Sequence, residues 1–115
     1  MLLYIVFNFG GIKMSEKVYT VEEIKEILKQ ILKNMPVETA ILFGSYAKNN
    51  PTKTSDIDIV IDSNGKIKGL KFYALIDLET FNKEVDVIEK SEIDQGSRIE
   101  KEIEKTGVVV YEKQR

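Results

Sequence analysis

Asp56 and Asp58 stand two residues apart in Asp56-Ile57-Asp58-Ile59-Val60-Ile61-Asp62, a segment in which acidic and apolar residues alternate. Alternation of period two marks a strand with one buried face, so the carboxylates share the other face, about 6.6 Å apart along the chain. Two such carboxylates repel each other, and strands are ordinarily poor in Asp. A divalent cation relieves the repulsion, and Mg²⁺ favours one or two carboxylates plus substrate phosphates over an all-protein cage. Taken alone, an Asp-x-Asp pair is more often a solvated strand face. Upstream, Gly44-Ser45 interrupts the apolar run Thr39-Ala40-Ile41-Leu42-Phe43. A turn after a buried strand exposes backbone N–H groups suited to phosphate; Gly lets the backbone approach closely and the Ser hydroxyl adds a donor. That pair alone is a commonplace turn. A third carboxylate, Asp86, is flanked by Val85, Val87 and Ile88, where an unpaired charge is costly. Glu84 shares its face but sits at the strand edge, where solvation is easy, so Asp86 is the stronger candidate. Gly-Ser, ten residues, then Asp-x-Asp arises by chance in on the order of one chain per thousand. The three features together point to phosphate and a divalent metal.

Composition narrows the chemistry further. The chain has no His and no Cys. That removes the commonest general base, thiolate metal sites, Cys nucleophiles and disulfides, and it suits a reducing cytosol. Carboxylates, hydroxyls, Lys, Arg, backbone amides and oxygen-bound metals remain. Net charge is −2 and the basic residues are spread along 115 positions, so no block resembles an arm for RNA or DNA. A large nucleic-acid ligand is disfavoured; a single nucleotide is not. The apolar stretch Leu2 to Phe9 is too short to span a bilayer and lacks a signal peptide's basic flank and cleavage site. It reads as an added strand or as an upstream extension of a protein that starts at Met14. Residues 1–13 are assigned to an N-terminal extension and 14–115 to one domain.

The elements that must position these residues alternate between helix and strand. Thr20-Val21-Glu22-Glu23 is a capping box, and Val21, Ile24, Ile27, Leu28, Ile31, Leu32 and Met35 keep helical spacing until Pro36. Thr39–Phe43 predicts a strand buried on both faces, and Tyr46-Ala47-Lys48 a brief helix. A polar loop from Asn49 to Ser55 leads into the acidic strand. Leu70 to Phe81 suits a helix with a broad apolar face. Val85–Ile88 predicts a strand; Ile99 and Ile103 mark a helix ended by Gly107, and Val108–Tyr111 a last strand. This is an α/β (α+β) layer fold with a small mixed β-sheet flanked by helices.

Leu42-Phe43-Gly44-Ser45-Tyr46-Ala47-Lys48 followed by Ser55-Asp56-Ile57-Asp58 resembles the defining motif of the DNA polymerase β-type nucleotidyltransferase fold. The length and the ending Gly107-Val108-Val109-Val110-Tyr111-Glu112 are similar to its smallest branch, the minimal nucleotidyltransferase (MNT) domains. The resemblance runs from about Val18 to Glu112. It implies that Gly44, Ser45 and Lys48 hold the triphosphate of ATP, and that Asp56, Asp58 and Asp86 form the catalytic, metal-binding triad for two Mg²⁺ ions. Asp86 would ligate metal or help deprotonate the acceptor hydroxyl. Many members carry Arg-Gly where this chain has Lys48-Asn49, which changes the phosphate grip.

The implied reaction is attack of a hydroxyl on the α-phosphate of ATP with pyrophosphate leaving. Larger relatives carry an extra domain that holds the acceptor. A minimal domain meets its acceptor on a partner, which the resemblance implies to be a HEPN-domain toxin adenylylated on a Tyr, with this chain as cytoplasmic antitoxin. Two other classes stand beside that reading: a non-catalytic antitoxin that neutralises by binding alone, and a plain α/β domain with a solvated acidic face.

Overall fold

The computed structural model describes residues 17–67 and 85–114. Thr20 opens the first described helix, α1 (Val21–Leu32). Its hydroxyl accepts from the Glu23 N–H at 3.0 Å, and the Glu23 carboxylate accepts from the Thr20 N–H at 2.9 Å. Two of the helix's orphan donors are thereby satisfied, as the capping box predicts. Ile24, Leu28 and Leu32, spaced four apart, form its fully buried stripe. The helix stops at Leu32, earlier than the apolar spacing suggests. Met35 instead donates its N–H to the Leu32 carbonyl at 2.9 Å, closing a turn before Pro36, whose ring disfavours helical backbone at the residue preceding it.

Four described strands follow: β1 (Thr39–Phe43), β2 (Ile57–Asp62), β3 (Val85–Glu89) and β4 (Val108–Glu112). They lie in the order β3-β2-β1-β4. β1 is antiparallel to β2 and β4, and β2 is parallel to β3, so the sheet is mixed as expected. The alternation read from the sequence becomes two faces. Ala40, Leu42, Ile57, Ile59, Ile61, Val85 and Val87 join the α1 stripe in one apolar core. Thr39, Ile41, Phe43, Asp58, Val60, Asp62, Asp86 and Ile88 occupy the other face. A bulge in the β1–β4 ladder pairs Ala40 with Tyr111 and Ile41 with Val109, so Val110 is the extra residue and is buried in the core.

The second described helix, α2 (Arg98–Thr106), packs on β1 over that second face. Ser97 caps it by accepting from the Glu100 N–H at 3.2 Å. Gly107 ends α2, though not as a left-handed cap: its φ is −57°. What position 107 requires is room, since a Cβ there would lie 2.6 Å from the Ile103 carbonyl oxygen and 2.9 Å from Ile41 Cγ2. A short 3-10 turn at Lys90–Glu92, not foreseen from the sequence, follows β3. The expected helix from Leu70 to Phe81, the rival Glu84 and the segment 1–13 lie outside the described residues. No described helix is long and apolar enough to cross a membrane.

Candidate active site

The parallel register sets Asp58 directly beside Asp86 on the face covered in part by α2. Neighbours in register project to the same side of the pleat, so the two carboxyls meet. Burial raises the Asp86 pKa above the ordinary range, the charge of Asp56 raises it further, and a hydrogen bond with the Asp58 side chain partly offsets both. Asp56 itself precedes β2 and is half-buried, close enough to be felt as charge. Sequence spacing put three carboxylates at one point. The structure brings Asp58 and Asp86 into contact and leaves Asp56 at their flank.

Gly44, at the end of β1, is what lets Asp58 sit there. Its φ is +78°, a conformation open to glycine at little cost. A Cβ at this position would fall 2.6 Å from Asp58 Oδ2. Close approach was the reason for expecting glycine here, and the group that approaches in the described residues is a carboxylate of the chain itself. The Gly44 N–H is not aimed at open space, because it donates to Thr106 Oγ1 at 3.3 Å, and Thr106 in turn donates to the Glu102 carbonyl at 2.9 Å. The last turn of α2 therefore fixes the turn after β1. Thr106, 62 residues from Gly44, left no local sequence signal.

Residues 44–49 form consecutive turns, not the brief helix expected at Tyr46–Lys48. Lys48 donates to the Gly44 carbonyl at 3.0 Å, Asn49 to Tyr46 at 3.2 Å and Asn50 to Ser45 at 3.1 Å, so the bond lengths in sequence change at every step. Asn49 has φ +62°. Asn is the non-glycine residue most at ease in that region, so the turn keeps a left-handed residue without the Gly.

A cleft of about 1010 Å³ opens over this arrangement. Gly44, Lys48, Asp58 and Asp86 line it, with Phe43, Val87, Ile88 and Ile99 as apolar wall. Ser45 adjoins Gly44 but does not line the cleft, and neither does Asp56. Sequence reasoning missed Arg98 and Glu102, which also line it from α2. Lys48 Nζ lies 3.4 Å from Glu102 Oε2, so the basic residue of the turn is ion-paired across the cleft.

Among the described residues no three acidic side chains close into a ready-made metal cage. The donor set still suits Mg²⁺, which takes one or two carboxylates and completes its shell with phosphate oxygens and water. Asp58 and Asp86, crowded together and held partly out of solvent, are the pair that would hold it.

Comparison with known proteins follows the same line. A family model described as Polymerase beta, Nucleotidyltransferase matches residues 22–115. Two relatives from Methanocaldococcus jannaschii carry the name "putative protein adenylyltransferase". One is 43% identical over 83 residues, spanning 64% of this chain and 82% of the relative. Another is 41% identical over 86 residues, spanning 70% of this chain and 100% of the relative. Among solved structures, a toxin-antitoxin with AMP-PNP superposes with a TM-score of 0.60 at 17% identity, covering 84% of this chain and 76% of that one. The toxin-antitoxin MntA-HpeT gives 0.60 at 15% identity with the same coverage. At such identities the structural likeness speaks for the fold.

Proposed function

The chain belongs to the polymerase beta nucleotidyltransferase family, and from that premise we propose that it is a Mg²⁺-dependent protein adenylyltransferase. It moves AMP from ATP onto a Tyr hydroxyl of a HEPN-domain toxin and acts as that toxin's cytoplasmic antitoxin. The observation that carries the reading is Asp58 in register with Asp86 beside the Gly44 turn, inside an open cleft. The names of the M. jannaschii relatives support adenylyl transfer to protein, and the toxin-antitoxin assemblies among the structural neighbours support the kind of partner. A solvated acidic face fits less well, because a face exposed only to water has no use for a glycine that admits Asp58 at van der Waals limits.

Asp56, Asp58 and Asp86 are assigned the metal, and Gly44, Ser45 and Lys48 the phosphates. Mg²⁺, when bound, would supply neutralisation of the charge that develops on the phosphates. Asp58 and Asp86 would hold that ion on the sheet beside the β1 turn. Among the described residues, the N–H groups of Ser45, Tyr46 and Ala47 donate to no backbone carbonyl, so the turn has donors to offer a phosphate. The acceptor oxygen forms a bond to the α-phosphorus as the bond to the β-phosphate oxygen breaks; pyrophosphate departs and a carboxylate of the triad takes the hydroxyl proton. The wall of Phe43, Val87, Ile88 and Ile99 offers an aromatic acceptor an apolar approach.

The test is transfer of labelled AMP from ATP to the co-expressed toxin, with Mg²⁺ and with chelator. Label on the toxin that disappears in Asp58→Asn supports the reading. If the wild type labels nothing, while Asp58→Asn still neutralises the toxin in cells, antitoxin action is by binding alone and transfer is refuted.

A further inference from the structure

Of the 17 basic residues only two are Arg, Arg98 and Arg115. Arg98 lies in the first turn of α2 and lines the same cleft as Asp58 and Asp86. A cation in the first turn opposes the helix dipole, so the position does not favour Arg on helical grounds. Nor does an ion pair explain it: among the described residues Arg98 joins none. The Glu residues of the cleft and of this turn are engaged elsewhere. Glu102, one turn along α2, pairs with Lys48 at 3.4 Å. Glu92 accepts from the Glu89 N–H at 3.1 Å as the cap of the 3-10 turn. Glu100, in the same first turn, accepts from the Gly96 N–H at 2.6 Å.

We propose that Arg98 grips the terminal phosphates of the bound nucleotide and makes the cleft select a triphosphate over a monophosphate. The inference rests on the nucleotide reading of the cleft and deepens it. Lys48 alone is a weak anchor for a polyphosphate, since its charge is already partly answered by Glu102. A guanidinium meets two phosphate oxygens at once through parallel N–H bonds, which an ammonium cannot do. The site then divides its labour between two layers. The acidic pair on β2 and β3 would hold the metal, and Arg98 on α2 serves the tail that leaves. A monophosphate has no tail to offer it.

Binding of ATP, ADP and AMP to the whole chain, measured by calorimetry with Mg²⁺ present, tests this without any acceptor. The wild type should bind ATP more tightly than AMP. Arg98→Gln should weaken ATP roughly tenfold to hundredfold while leaving AMP within about twofold, as expected for one lost charge-assisted contact. Arg98→Lys, which keeps the charge and the helix, should fall between the two for ATP and match the wild type for AMP. Unchanged ATP affinity in Arg98→Gln, or an equal loss for ATP and AMP, overturns the inference and leaves the proposed reaction standing. A wild type that binds none of the three nucleotides overturns both.

Discussion

A side chain at position 44 would have to share space with the Asp58 carboxylate, and it would have to do so at a φ of +78°. Gly44→Ala should therefore lower stability by about 1–3 kcal/mol and abolish transfer by displacing Asp58, which thermal melts and the labelling assay would read together. Asp58→Asn keeps the volume and removes one of two crowded carboxylates. Transfer should fall about a thousandfold while the melting temperature in chelator holds or rises. A melt lowered by several degrees would show that Asp58 supports the fold itself. Tyr46 offers a contrasting case. Its hydroxyl is buried without a well-formed hydrogen bond, and burial raises its pKa, partly offset by the nearby Tyr19 backbone. Tyr46→Phe removes a buried polar atom that is at best weakly held, so stability should stay within about 0.5 kcal/mol or increase. Of these residues, Gly44, Asp58 and Asp86 were legible because each breaks a local pattern, a strand stopped by glycine or an acid among Val and Ile. Arg98 and Thr106 were not, because a helix surface carries such residues freely and only the third dimension brings them to the cleft.

Along the elements, what could be read was what is coded locally. The capping box at Thr20–Glu23 and the alternation of β2 depend on neighbours within four residues, and both stand as expected. Three features depended on distant partners and were missed or misread: the turns at 44–49, the bulge at Val110, and the reason for Gly107. The end of β3 shows how strong such a distant device can be. Glu89 is buried, and burial alone would raise its pKa, yet donors from Ser91 and Ser63 outweigh that and lower it to about 2. The Ser63 N–H and hydroxyl each reach it at 2.7 Å, the Gly65 N–H at 3.3 Å and the Ser91 N–H at 2.7 Å. This clamp ties the exit of β2 to the exit of β3. Because the folded pKa lies below the ordinary 4.5, the stabilisation is complete above that value and lost as pH falls toward 2. It amounts to about 3 kcal/mol. Glu89→Gln should be markedly less stable at pH 7 and should lose most of the acid sensitivity between pH 4.5 and 2, as followed by denaturant titration across that range.

Among the described residues, α1 and one sheet face make the core, while α2 covers part of the other face beside the cleft. Deleting residues 1–13 should leave ATP affinity unchanged, a matter for the same calorimetry; a large loss would bring that segment into the site. The tail of the chain is held more firmly than its position suggests. Lys113 donates its N–H to the Glu38 carbonyl at 2.9 Å and its Nζ to the Met35 carbonyl at 3.1 Å, and the Tyr111 hydroxyl donates to Leu32 at 3.4 Å. Carbonyls at the end of α1 and in the connection to β1 thus gain additional donors from β4 and the residue after it.

The pairing of β2 with β3 is the sheet's one parallel pair among the described strands, and it joins positions 58 and 86 across a long excursion of chain. The β1–β2 pair closes across a shorter stretch of chain than β2–β3, so it is the natural earlier structure in refolding, whereas β3 must wait for a larger loss of chain entropy. Docking of β3 is also the event that forces the two carboxylates together. Like charges meeting late in the reaction act after the rate-limiting barrier, so their relief should leave the folding arm of a chevron unchanged and slow the unfolding arm. Magnesium added during refolding would then prolong the life of the native state without hastening its formation. Truncation at Val87 should give a low φ-value where truncation at Leu42 gives a higher one.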